Sequence, residues 1–141
     1  GREKHYEPVP AQKTYGHAII DAGADLIIGT HPHVYGGIEK YKGKYIVYSL
    51  GNSCFAGNAN PNDKRCMIFQ QTFSFNPGMG IAQANITDSG INIIPCTVSS
   101  VKNLNDFQPT IMAARAMRRT VPNTRVCLLW GVGFDIKNLL E

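Results

Sequence analysis

The chain has 141 residues, enough for one domain with a buried core. Its composition, 43% apolar and 17% charged, is that of a globular protein and excludes a disordered one. Fourteen basic against ten acidic residues leave it mildly basic, yet no basic stripe interleaved with aromatics is present, so nucleic acid is not an expected partner.

Residues 1–9 are polar and punctuated by proline, and read as a loop. Pro10 suits the first helical position, and Tyr15, Ala18, Ile19 and Ala22 recur at the spacing of one helix face. Gly23 is placed to end that helix. The short apolar run Asp25 to Ile28, stopped by Gly29, predicts a buried strand. A helix, a tight turn and a buried strand in succession point to an α/β layer architecture.

A polar loop, Gly29 to His33, follows the strand. Ile38 to Tyr41, a Lys42–Gly43 turn and Tyr45 to Leu50 predict a hairpin whose second arm is apolar enough to be buried on both faces. Residues 53–66, rich in Gly, Asn and Pro, predict a surface loop. Three strands are expected next, at Met67 to Phe75, Ile81 to Thr87 and Ile91 to Val98. The turn sequences Asn76-Pro77-Gly78 and Asp88-Ser89-Gly90 separate them. Pro109 to Thr120 predicts a second helix, and a short helix is expected near Lys137.

The four cysteines, Cys54, Cys66, Cys96 and Cys127, include no CxxC pair, which argues against a zinc ribbon or a thioredoxin-like site. Disulfides are open to an extracytoplasmic chain, but their pairing is not legible in the sequence. Arg115, Arg118, Arg119 and Arg125 crowd one region, whose ordinary meaning is a solvated helix face. Trp130, Gly131 and Gly133 read as a packing turn, since neither a helix start nor a lysine follows to make a phosphate cradle.

His31 and His33 carry the chemical interest. Two imidazoles two positions apart on an extended loop can face a common point, and their nitrogens suit Zn, Mn or Fe. The end of a strand in an α/β sheet is also where ligands usually bind. By itself the HxH spacing is a weak signal. Ser49 is excluded as a nucleophile because it lies within a buried-strand pattern without a basic partner, and His5 and His17 are expected to ligate nothing.

The run from Asp21 to Asn52 resembles the bacterial capsule-synthesis family of the CapA, poly-γ-glutamate type. The matching elements are Ala22-Gly23-Ala24-Asp25, Gly29 to His33, Glu39, and Tyr48-Ser49-Leu50-Gly51-Asn52, with Pro8 and Gln12 upstream. The resemblance covers about the first 55 residues and returns weakly near Asn105 to Pro109. It implies a calcineurin-like metallophosphoesterase fold. The whole chain, 1–141, would then be the C-terminal half of one αββα sandwich domain with a mixed sheet, β-hairpins and two to three helices.

The same resemblance implies that His31 and His33 each hold one of two divalent ions, Mn, Zn or Fe. Asn52 is then a candidate to bond a phosphate or substrate amide, with a plain turn asparagine as its bland reading. Glu3, after the family's tryptophan–glycine pair, is a candidate to orient a ligand histidine, with a plain solvated side chain as its equal alternative. Glu39 is expected to be structural, at the start of the hairpin. The family's remaining ligands belong to an N-terminal half preceding Gly1, so the isolated chain is expected to be inactive. That half is expected as an associated separate chain, with a deliberately truncated protein as the other explanation. The implied function is capsule or poly-γ-glutamate production at the cell envelope, extracytoplasmic and membrane-anchored, alongside capsule synthase components. A non-catalytic scaffold that binds an anionic polymer through the same fold is the alternative.

Overall fold

The structure, a computed structural model, describes residues 1–55, 57–74 and 87–112. Helix α1 spans Pro10–Asp21 and is followed by β1 (Leu26–Ile28), β2 (Ile38–Tyr41) and β3 (Lys44–Val47). Strands β4 (Arg65–Ser74), β5 (Thr87–Thr97) and β6 (Thr110–Ile111) complete the described elements. The chain thus combines helix with mixed sheet, as expected of an α/β fold.

Pro10 opens α1, where its missing N–H costs nothing. The Val9 N–H donates to Gln12 Oε1 at 3.1 Å, satisfying one of the donors a helix start leaves exposed. At the far end Gly23 (φ 106) closes the helix. Its N–H bonds Ile20 O and the Ala24 N–H bonds Ile19 O, the paired contacts of a Schellman motif. The helix face differs from the expected one. Gly16 and Ile20 are buried, whereas Tyr15 and Ile19 are exposed. A glycine at position 16 lets the Ile46 side chain come within about 3.2 Å of where a Cβ would stand, so the helix meets the sheet there.

The first sheet has the order β1-β3-β2. β1 pairs parallel to β3, with Leu26 opposite Tyr45, and β2 pairs antiparallel to β3, with Tyr41 opposite Lys44. The two-residue loop works because Lys42 (φ 48) and Gly43 (φ 80) both adopt positive φ, the geometry that suits the twist of a hairpin. Tyr45, Ile46, Val47 and Tyr48 are buried in succession, which matches the expectation of a strand covered on both faces. Ile20, Ile46 and Tyr48 form one core cluster with Ala24, Ile27 and Tyr41.

The second sheet, β4-β5-β6, is antiparallel. It joins the first through the segment after β3: the Met67 N–H donates to Leu50 O, and Gly51 bridges Cys66. Tyr35 and Met67 make a second core cluster there, with Tyr6, Ile38, Leu50 and Ile93. Asp88-Ser89-Gly90, expected as a turn, lies inside β5 instead. The register steps from Gln71↔Ile91 to Phe73↔Asp88, so the extra residues form a bulge, and Gly90 (φ 132) supplies its unusual backbone. Thr110 and Ile111, expected to begin a helix, pair instead with Thr97 and Cys96 as β6, and the Met112 N–H donates to Pro95 O. A sheet edge needing partners outweighed the local helical pattern. The remainder of that predicted helix, the arginine group at 115–125, Cys127, the segment from Trp130 and the helix near Lys137 lie outside the described residues, as do Asn76-Pro77-Gly78 and most of the strand expected at Ile81 to Thr87.

Candidate functional site

The HPH loop leaves β1 at Gly29, whose N–H bonds Val47 O at 2.6 Å. A Cβ at Gly29 would stand 2.4 Å from Tyr48 O, so only glycine lets the chain turn away so close to β3. His31 (φ 94) and His33 (φ 60) then both take positive φ on either side of buried Pro32. A non-glycine residue in that region costs about 1–3 kcal/mol and persists only where its surroundings enforce it. The enforcing contacts are visible. Pro32 O accepts the Lys4 N–H at 2.7 Å, His33 Nδ1 lies 3.1 Å from Asn52 Oδ1, and the His33 ring packs 5.0 Å from Phe55.

The two imidazoles therefore come together, with ring centres 6.4 Å apart and planes inclined at 50°. Nitrogen–metal bonds of about 2.1 Å allow two rings on one ion to stand at most about 6.5 Å apart. The observed spacing sits at that limit and suits adjacent ions about 3.5–4 Å apart more easily. With Asn52 Oδ1 as acceptor, Nδ1 of His33 carries the proton and Nε2 keeps its lone pair for a cation. His31 is exposed and His33 half-buried. The donor set fits part of a metal site only: among the described residues no group of three or more His, Cys, Asp or Glu side chains gathers to hold an ion.

Beside His33 opens a cavity of about 770 Å³, lined by Glu3, Tyr6, Asn52, Phe55 and Arg65 among others. The structure thus brings His33, Asn52 and Glu3 to one cavity, with His31 at its side and not in its lining. A network that sequence reasoning missed forms one wall. Arg65 donates from Nε to Asp63 Oδ1 at 2.8 Å and from Nη2 to Asp63 Oδ2 at 2.7 Å, a two-pronged pair. Tyr6 Oη donates to Asp63 Oδ2 at 2.6 Å, and the guanidinium packs 5.8 Å and 5.0 Å from the Tyr6 and Tyr35 ring centres. Burial, then the bond to Asp63, pushes the Tyr6 phenol up to about 12, so it stays a neutral donor. Burial works against the Asp63 carboxylate, but bonds from Arg65 and Tyr6 outweigh it and hold its pKa below the ordinary range. The 57 positions between Tyr6 and Asp63 explain why no sequence window linked them.

Two other residues fall elsewhere. Glu39 sits in β2, where it accepts from His17 Nε2 at 2.6 Å and from Tyr48 Oη at 2.5 Å, a brace between α1 and the hairpin. Ser49 is buried, donates to Val34 O at 2.7 Å and accepts the Gly51 N–H, so its hydroxyl is occupied.

Residues 1–56 match the family described as bacterial capsule synthesis protein PGA_cap. The chain is 31% identical over 101 residues to the capsule biosynthesis protein CapA of Bacillus anthracis, covering 70% of this chain and 21% of that protein. It is 49% identical over 55 residues to the PGA biosynthesis protein CapA of Bacillus subtilis (strain 168), covering 39% of this chain and 14% of the relative. An uncharacterized protein, y4sH, of Sinorhizobium fredii is 48% identical over 46 residues, 33% of this chain and 10% of its own length. The chain thus spans about a fifth or less of the length of these relatives. No solved structure matches it. By the match over residues 1–56 and by these relatives, the chain belongs to the bacterial capsule synthesis family PGA_cap.

Proposed function

We propose that the chain contributes the histidine loop of a metallophosphoesterase-like site in capsule or poly-γ-glutamate production at the extracytoplasmic side of the cell envelope. The observation that carries this reading is the pair of neighbouring imidazoles, His31 and His33, both at positive φ, in the segment matching the capsule synthesis family. Strain of this kind gathers at functional sites. His31 and His33 would hold divalent ions, Mn, Zn or Fe, with further ligands from an N-terminal half that completes the αββα sandwich. Bound there, such ions supply a hydroxide at neutral pH and charge for phosphoryl oxygens.

The chain's own residues have definable tasks. Asn52 fixes the His33 ring and its tautomer. Phe55 packs against that ring and helps to hold its orientation. Tyr6 and Arg65, both donating to Asp63, give the cavity a fixed wall that does not change protonation near neutrality. Glu3, in the cavity lining, would orient a ligand histidine. An acyl phosphate of the kind formed during γ-glutamyl ligation is the substrate class that suits capsule production.

Full-length protein loaded with Mn or Zn is expected to hydrolyse a generic phosphoester. His31→Ala should lose that activity and at least half of the bound metal by elemental analysis, while circular dichroism stays unchanged because His31 is exposed. Equal metal content and equal rates in the two proteins would overturn the reading. Polymer affinity that survives chelation and falls with salt would instead favour an anionic-polymer scaffold.

A further inference from the structure

We propose that Cys66 and Cys96 close into a reversible cross-strand disulfide that fastens β4 to β5 behind the cavity wall. The two stand directly opposite each other in the antiparallel ladder, so their side chains leave the same face. Both are buried, at 0% and 3% exposure.

The bonding pattern fixes which kind of pair they make. The Met67 N–H turns away from β5 to Leu50 O, and Pro95 O turns away from β4 to Met112. The Val98 N–H, by contrast, donates across to Lys64 O. Position 66 shares the phase of 64, so Cys66 and Cys96 form a hydrogen-bonded pair, whose Cα atoms stand about 5.5 Å apart. That Cα separation is inside the usual disulfide range, whereas the Cβ atoms of a hydrogen-bonded pair lie at the wide end of about 4.5–5.5 Å and must close by more than ~1 Å to reach the ~3.8 Å a disulfide prefers. A bridge here draws β4 and β5 together locally, and the strain this leaves makes it one that thiols reopen.

Burial, followed by the neighbouring Cys96, pushes the Cys66 thiol up to about 12, so neither sulfur is an attacking thiolate in the closed sheet. Access comes through β6, two exposed residues paired to Cys96 and Thr97. With β6 displaced, the Cys96 thiolate attacks one sulfur of a small disulfide such as oxidised glutathione and releases one glutathione thiolate. The Cys66 thiolate then attacks Cys96 Sγ in the mixed disulfide and expels the second. Two protein thiols are oxidised, one glutathione disulfide is reduced to two thiols, and the two protons pass to the released glutathione.

The position gives the bridge a consequence for the cavity. Cys66 follows Arg65 and bridges Gly51, the neighbour of Asn52. Fastening β4 therefore secures the strand that carries the guanidinium wall and abuts the residue holding His33.

The test is a thiol map of the full-length protein equilibrated with oxidised and reduced glutathione, quenched with an alkylating reagent and digested. Oxidation should yield a linked Cys66–Cys96 peptide that reduced glutathione at millimolar concentration reopens. Cys54→Ser, a change at an exposed thiol, should leave that peptide intact, and Cys96→Ala should abolish it. The wild-type map decides even if Cys96→Ala fails to fold. Recovery of Cys66 and Cys96 alkylated after oxidation, either of them joined to Cys54, Cys127 or glutathione alone, or a bridge that resists reduced glutathione would each overturn the proposal.

Discussion

At the scale of single residues, one hydrogen bond decides the chemistry of His33. Asn52 Oδ1, 3.1 Å from Nδ1, directs the lone pair of the ring to Nε2 and holds the plane still. Removing such an outer partner typically costs a metal site about 10–100-fold in affinity. Asn52→Ala is expected to weaken metal binding by about that factor in a competition titration with a chelating dye. Asn52→Asp should keep the acceptor and most of the affinity. Unchanged affinity in the alanine variant would reduce Asn52 to a turn residue. The HPH loop after a short strand was legible in sequence, although its spacing alone is a weak signal and the resemblance of its flanks singled it out. The positive φ at both histidines was not, since nothing in residue type announces it.

At the scale of elements, α1 is tied to the hairpin by polar contacts as much as by Ile20. His17 Nε2 and Tyr48 Oη both donate to the Glu39 carboxylate, and the His17 ring stacks 3.9 Å from that of Tyr41. Burial alone would raise the Glu39 pKa, yet the bonds from Tyr48 and then His17 outweigh it and hold it below the ordinary glutamate range. A lowered carboxylate pKa in the fold stabilises above the unfolded value, and that contribution disappears as pH falls through the folded one. Thermal unfolding should therefore show a loss of stability as pH falls through and below the ordinary glutamate range, and Glu39→Gln should make that loss smaller. Identical pH profiles in the two proteins would show that the brace contributes nothing.

The reading of this helix also marks a limit of pattern analysis. Both its ends were readable from Pro10 and Gly23, because capping is local chemistry. Which stripe would be buried was not, because it depends on a glycine admitting Ile46 from a strand some 30 positions away. Likewise Asp88-Ser89-Gly90 has turn chemistry, and the pairing of β4 with β5 turned it into a bulge.

At the scale of the whole molecule, two small core clusters share the segment from Tyr48 to Gly51. The one around Tyr35 and Met67 attaches the second sheet and stands behind the cavity. Met67 is 1% exposed, so Met67→Ala is expected to cost about 2–5 kcal/mol in denaturant unfolding. Ile68→Ala, at an exposed neighbour, should change stability by less than about 0.5 kcal/mol. Similar losses at both sites would mean that the second sheet is not seated as described. The α/β character and the hairpin were recoverable from periodicity. The Tyr6–Asp63–Arg65 wall and the opposition of Cys66 and Cys96 were not, because both arise only when segments about 30 to 60 positions apart are paired.

Pro95 gives the outer sheet a property beyond its role in the ladder. It accepts from Met112 through its carbonyl but has no proton to return, so at this position the ladder toward β6 is held by one bond where another residue would offer two. A strand from another molecule reaching this flank would meet the same missing donor. A proline on that flank therefore weakens the template it offers to an incoming strand.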